Sequence, residues 1–400
     1  MRFVQKIAQF IKEKELDLGA LTIIVPSDRA INKIKQELSN LYSIPILSPQ
    51  IITIDKWMRT EDKSKIDPTR QLITLHEISA QLAPFKDQSF EEFLSWGNTL
   101  LKDFDEVDRY LLDAKAVFKN LKSIKELETW QIDDEELSPS QKKFKEFWGH
   151  IPELYTRFNK RLQKDKKTTS GRAYRDFNDA IIDEASRLTG NHKFIFAGFN
   201  ALSISELSVM KKLIDKKCAF FLSDADTFYT RDSIHEAGSF IKKNHEFLNV
   251  DYPIPLLKSI DNKKMNITIV ECSQQIGQVK VAANELNNLS VEEQNNTLVL
   301  LCDESLISSV TKNIPANIDK TNVSLGLPIT QTAIKSWVDI LFQIQENKLK
   351  FGTESIYFYD FQRFINHSVT LSCTSIQEMY LLGDIERDAI KKNRIFQSIE

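Results

Sequence analysis

Apolar residues at Phe3, Val4, Ile7, Ala8, Phe10 and Ile11 recur at helical spacing and predict a helix over 3–14. The run 20–26 (ALTIIVP) then reads as a short buried strand that ends at Pro26. A helix is predicted from about Asp28 to Leu41, and a second strand over 51–54. Strand, helix, strand in that order predicts a parallel α/β unit, since parallel neighbours need a crossover between them. From about 66 to 188 strand-like runs vanish. The stretches 90–124, 140–164 and 175–188 carry apolar residues at helical spacing, with Pro152 marking an expected break or kink. This predicts an all-helical insertion of roughly 120 residues.

Strands return at 193–199 (KFIFAGF) and 218–224 (CAFFLSD), with a helix over 203–216 between them. A helix over 233–248 and a linker over 251–264 follow. A second α/β unit is expected from strand 265–273, helix 276–289, strand 297–303 and helix 304–314, followed by a helix over 333–347. Residues 351–400 read as helical and stop without a closing signal, so the chain is expected to end inside a domain. The pattern therefore predicts two α/β units with a helical insertion in the first.

Length and composition change this picture little. A chain of 400 residues suggests two or three domains. Hydrophobic residues at 42% and charged residues at 27% suit a globular protein rather than a disordered one. Charge is more informative. With 53 basic and 56 acidic residues there is no basic excess, so any nucleic-acid contact must come from a local patch. Cys218, Cys272, Cys302 and Cys373 show no paired metal-ligand spacing and suggest reduced thiols in a cytoplasmic protein. No continuous apolar run is long enough to span a membrane, and the N-terminus lacks the features of a signal peptide.

The search for chemistry is largely negative. None of the 11 glycines is followed by lysine, so no phosphate-binding loop of the GxxxxGK[ST] kind exists. A magnesium-holding acid is expected at the end of a core strand in a nucleotide hydrolase, but 197–199 is Ala-Gly-Phe. Asp224 and Asp226 end the next strand and read as turn residues rather than metal ligands. The nuclease-like triplets ending at Lys63, Lys167 and Lys263 lie in polar, loop-like sequence. Asp103, Asp105, Glu106 and Asp108 are expected to fan across a solvated helix face. His76, His150, His192, His235, His245 and His367 are scattered. No catalytic residue, metal ligand or cofactor is expected in this segment.

Two stretches carry a resemblance. VPSDRA (25–30) and ITIDKW (52–57) are strand-to-turn segments similar to the DNA-contacting segments of UvrD-like superfamily 1 helicases. Together with 93–121, FIFAGFNALSISE (194–206), FFLSDADTFY (220–229), HEAGSFIKKN (235–244), LVLLCDESLISSVTKNIP (298–315) and NVSLGLPITQT (322–332), they make the chain resemble the inactivated helicase region of AddB-type proteins of the PD-(D/E)XK nuclease group.

The resemblance implies an α/β fold of two RecA-like (P-loop NTPase-like) parallel-sheet domains. Residues 1–62 and 191–262 would form the first, 63–190 its helical insertion, 263–350 the first part of the second, and 351–400 the start of a further insertion. It implies a non-catalytic scaffold in DNA double-strand-break repair or recombination, with a nuclease domain C-terminal to this segment. DNA would be the partner, held by its phosphate backbone. Ser27 and Arg29 match the first contacting turn, and Thr53 and Asp55 the second. Arg172 and Arg175 sit near the end of the insertion, where facing phosphate and forming salt bridges are both open. The alternative is a scaffold that docks a partner helicase-nuclease subunit without touching DNA.

Overall fold

The computed structural model describes residues 2–42, 45–59, 63–120, 139–187, 191–231, 235–260 and 264–397, with 139–145 and 182–187 as backbone only. It divides into two units, Met1–Met265 and Asn266–Glu400.

In the first unit α1 (Phe3–Glu13) leads into β1 (Leu21–Val25), and α2 (Asp28–Leu41) into β2 (Gln50–Thr53) and a single helical turn, α3 (Ile54–Trp57). β1 is buried at every position. A strand apolar on both faces requires neighbours on both edges and cover on both faces. β1 pairs in parallel with β2 on one edge and with β5 (Lys193–Ala197) on the other. β6 (Ala219–Leu222) extends the sheet beside β5, also in parallel, giving the order β2-β1-β5-β6.

Side chains alternate across the sheet because successive strand residues face opposite sides. Leu21, Ile23, Val25, Ile195, Ala197 and Leu222 pack under α1 and α2, against Ile7, Phe10, Ile11, Ile34 and Leu38. Ile24, Phe194, Phe196 and Phe221 face the other way. There they meet α3, α7 (Ser170–Arg187) and α8 (Ile204–Asp215) through Ile54, Phe177, Val209, Met210 and Leu213. Each such large side chain contributes about 1.5–3 kcal/mol when fully buried.

The insertion lies between β2 and β5. It contains β3 (Ser64–Lys65), α4 (Pro68–Ser79), α5 (Phe90–Arg109), α6 (Pro139–Lys164), β4 (Lys167–Thr168) and α7. Its own core is aromatic, with Phe85, Phe93, Phe104, Phe118 and Phe158 buried together. β3 and β4 pair in parallel and join the two ends of the insertion. Two-residue strands leave no periodic signal, so sequence pattern does not find them.

The expected helix 90–124 divides. α5 stops at Arg109, Leu111 takes a left-handed φ of 55°, and helix resumes over 114–120. The Arg175 guanidinium donates to the carbonyls of Val107 and Leu112. The Val107 oxygen lies in the last turn of α5, where carbonyls lack intrahelical partners, and the Leu112 oxygen lies just beyond it. Pro152 does not break α6, which runs on through it; Ile151 and Leu154, both fully buried, hold the helix against the core on either side. Of the expected linker 251–264, residues 251–260 are not free. Ile254 enters the core beneath α1, and Leu257 bridges to Asp226.

Among the described residues, the regular structure of the second unit is helical apart from one two-residue ribbon. It holds α9 (Gln275–Asn287), α10 (Ala333–Phe351), α11 (Phe358–Ile365) and α12 (Ile376–Lys391). The ribbon is antiparallel, between β7 (Ile356–Tyr357) and β8 (Phe396–Gln397). The strands expected at 265–273 and 297–303 do not form. Ile267, Ile269, Leu298 and Leu300 are 76%, 90%, 84% and 78% exposed. A strand takes its hydrogen bonds from neighbours, and no described residue pairs with either segment. Among the described residues of the chain, no helix is long and apolar enough to cross a membrane.

Candidate nucleic-acid interface

All four sheet strands run the same way, so their carboxyl ends share one edge. The chain steps from β1 to β2 on one side and later to β5 on the other. The edge therefore has a topological switch point between β1 and β5, the place where open α/β sheets bind ligands. At this edge Val25 lies opposite Thr53. Ser27 and Asp55, each two residues further, stand on neighbouring turns.

The structure thus places four of the expected DNA-contacting residues together. Ser27 and Arg29 are exposed at the start of α2. Ser27 is the N-cap residue, but its hydroxyl makes no capping bond to the helix. The first amides of a helix are unpaired and carry partial positive charge, which suits an anion. Thr53 is buried, and its backbone starts α3. The carboxylates here are paired. Lys56 Nζ donates to Asp28 Oδ1 at 2.8 Å, which links the two turns, and Arg59 pairs with Asp55. At the end of β5, Gly198 has a φ of 79°, a backbone region that disfavours side chains. Phe199 beyond it turns into the core.

Arg172 and Arg175 occupy the root of the insertion. Asp108 of α5 is 2% exposed. It accepts from Tyr155 Oη at 2.6 Å and forms an ion pair with Arg175 Nε at 2.7 Å, with Arg172 Nη1 at 3.7 Å. Arg172 Nε also pairs with Asp176 Oδ1 at 2.8 Å, and Lys63 Nζ donates to Asp176 Oδ2 at 2.7 Å. Burial pushes the Asp108 carboxyl up, against the downward pull of Tyr155 and both guanidiniums. Tyr155 is pushed up to about 12, by burial first and then by Asp108. Asp105 accepts from the Gly171 amide. α5 and α7 cross so closely that a Cβ at Gly171 would meet the Asp105 carbonyl oxygen at 2.1 Å.

The expectation of a solvated acidic face is thereby corrected for Asp108, which is the buried centre of a charge network. Of the two arginines, Arg175 is committed to Asp108 and to helix-end carbonyls, while Arg172 retains a side chain 33% exposed. Lys63, Tyr155 and Asp176 also belong to this network, and no sequence pattern marks them as site residues. What the GRAYRDF stretch does show is Arg172 and Asp176 at the i, i+4 spacing of a helical ion pair.

Tyr174 connects the two regions. Arg109 lies over its ring at 4.5 Å. Its hydroxyl is pushed up to about 12 by burial, with Glu206 and Asp55 adding and Arg109 opposing. Asp55 of the turn after β2 and Arg109 of α5 thus act on this hydroxyl with opposite sign.

Among the described residues, no group of three or more His, Cys, Asp or Glu side chains converges as a metal site would require. Asp226 instead accepts from the amides of Phe228, Ser259 and Ile260 and from the Ser259 hydroxyl, which pins 257–260 to the end of β6. No family model matches the chain, and no curated protein matches it.

Proposed function

We propose that this chain is a non-catalytic, helicase-like scaffold segment that holds DNA by its phosphate backbone along the carboxyl edge of its parallel sheet. The observation that carries this reading is the pairing of Val25 with Thr53. It sets the Ser27–Arg29 turn and the start of α2 beside the Asp55–Arg59 turn, so that hydroxyl, amide and cationic donors lie within one short stretch of edge. Phosphate contacts of this kind position a nucleic acid without reading its sequence. In this reading 1–62 and 191–262 form a RecA-like domain, and the nuclease chemistry of a repair or recombination protein lies outside these residues. Ala197, Gly198 and Phe199 at the end of β5 support the non-catalytic part, since they offer no carboxylate for magnesium.

Two observations favour a second reading, a scaffold that docks a partner protein. The edge carboxylates Asp28 and Asp55 offset much of the local positive charge. Separately, the segments 265–271 and 297–301 expose a large apolar surface. Titration with single-stranded and duplex oligonucleotides at low and high salt separates the readings. The DNA reading expects binding that weakens steeply with salt, and weakens further in Arg29→Ala. Absence of binding at low salt removes that reading and leaves the docking one.

A further inference from the structure

A cavity of about 280 Å³ opens at the root of the insertion, between α6, β4 and α7. Its walls include Lys63, Lys160, Lys167 and Arg172, against one carboxylate, Asp176. That carboxylate is already shared between Lys63 and Arg172. Lys167 Nζ donates to the Ser64 hydroxyl at 2.8 Å, and neither it nor Lys160 has a carboxylate partner among the described residues. Asn159 adds a further donor, because its side-chain Nδ2 is buried and has no hydrogen-bond partner.

We propose that this cavity is a phosphate-binding site. A donor buried without an acceptor is costly, and four cations around one acid concentrate positive potential within a concave wall. A tetrahedral oxyanion relieves both. It supplies acceptors for Asn159 and Arg172 and a counter-charge for the two lysines, whose long stems let their ammonium groups swing inward. The volume is several times that of a water molecule and accommodates a phosphate with its remaining hydration. The phosphate can belong to a nucleic-acid backbone or to a free nucleotide or inorganic ion. The site stands apart from the sheet-edge turns and does not depend on their binding DNA.

The test uses the whole chain and inorganic phosphate as the probe. Calorimetric titration at constant ionic strength, with chloride as the reference anion, is expected to show saturable phosphate binding. The double variant Lys160→Ala/Lys167→Ala, which alters two exposed side chains, is expected to bind about tenfold more weakly with an unchanged circular-dichroism melt. Lys160→Arg is expected to retain binding. Displacement of phosphate by a single-stranded oligonucleotide assigns the site to backbone phosphate. Continued phosphate binding in the presence of oligonucleotide assigns it to the free ion or nucleotide. Phosphate binding no stronger than chloride, or a double variant that binds like the parent, overturns the site. Because Arg29→Ala reports on the sheet edge, failure there and failure here are separately visible.

Discussion

The two units begin from the same kind of sequence and reach different outcomes. β1 in the first and 297–301 in the second are both short apolar runs followed by a helix. β1 lies between two parallel neighbours, and its five residues are buried. The second run forms no strand and is solvated, with Leu298 and Leu300 exposed. A helix satisfies its backbone within itself, whereas a parallel strand is stabilised only by what lies beside and above it. The comparison shows that local pattern sets the capacity to be a strand, and that neighbours realise it.

The comparison is tested most strongly in the first core. Phe196 is fully buried and packs edge-on to Trp57, with ring centroids 5.5 Å apart. Phe196→Ala is expected to cost about 3–5 kcal/mol, read as a lower denaturation midpoint followed by tryptophan fluorescence. A loss under about 1 kcal/mol would show that the sheet is not closely packed.

Next in size is Asp108→Ala, which leaves Arg175 beside an empty acceptor site. It is expected to cost about 2–4 kcal/mol, below the range for a fully dry pair because both arginines keep some contact with water. Asp108→Asn should cost less. Equal losses in the two variants would mean that charge, rather than burial with an unpaired partner, controls this junction.

A smaller effect is expected from pH. His245 is held by Ser223 Oγ, 2.9 Å from Nε2, and by the Val250 carbonyl, 3.1 Å from Nδ1. Burial pushes its pKa below the ordinary value of 6.5. The unfolded chain therefore takes up a proton first as pH falls. His245 contributes stability that is fully present above pH 6.5 and is lost as pH falls from there through the folded value. His245→Asn should flatten that part of the stability profile, read from melting temperatures across the range. Asp226 follows the same sign at lower pH. Its amide bonds, the one from Phe228 foremost, hold the carboxyl below 3.8, so its contribution is lost only on further acidification. An unchanged profile in His245→Asn would remove the imidazole from this account.

The smallest effects are expected in the second unit. Ile269 is 90% exposed. Ile267→Asp/Ile269→Asp should leave the midpoint within about 0.5 kcal/mol and reduce binding of a hydrophobic dye. A marked destabilisation would show that this segment is packed, and the contrast between the units would fail. Arg387→Ala, at a pair whose side chains are 72% and 67% exposed, should change stability by less than about 1 kcal/mol.

Much of the first unit was legible because its signals are local. The apolar runs at 20–26, 193–199 and 218–224 mark strands, and the spacing in 3–14 marks a helix whose buried face is Ile7, Ala8, Phe10 and Ile11. The grouping of Ser27 and Arg29 with Thr53 and Asp55 was expected from two strand-to-turn segments, and the β1–β2 register places them on adjacent turns. The root of the insertion was not legible. Asp108 and Arg175 are 67 residues apart, and neither has a local feature that distinguishes a buried partner from a solvated charge.

Sequence alone determined where helices and apolar runs fall, that the charge is nearly balanced, and that no phosphate loop is encoded. These follow from residue type and short-range spacing. Tertiary structure decided which apolar runs become strands, which acid is buried, and which cations are left around the cavity beside Asn159. Those outcomes depend on contacts between distant residues, and the energy of burying a strand or a charge is set by its neighbours rather than by the residue itself.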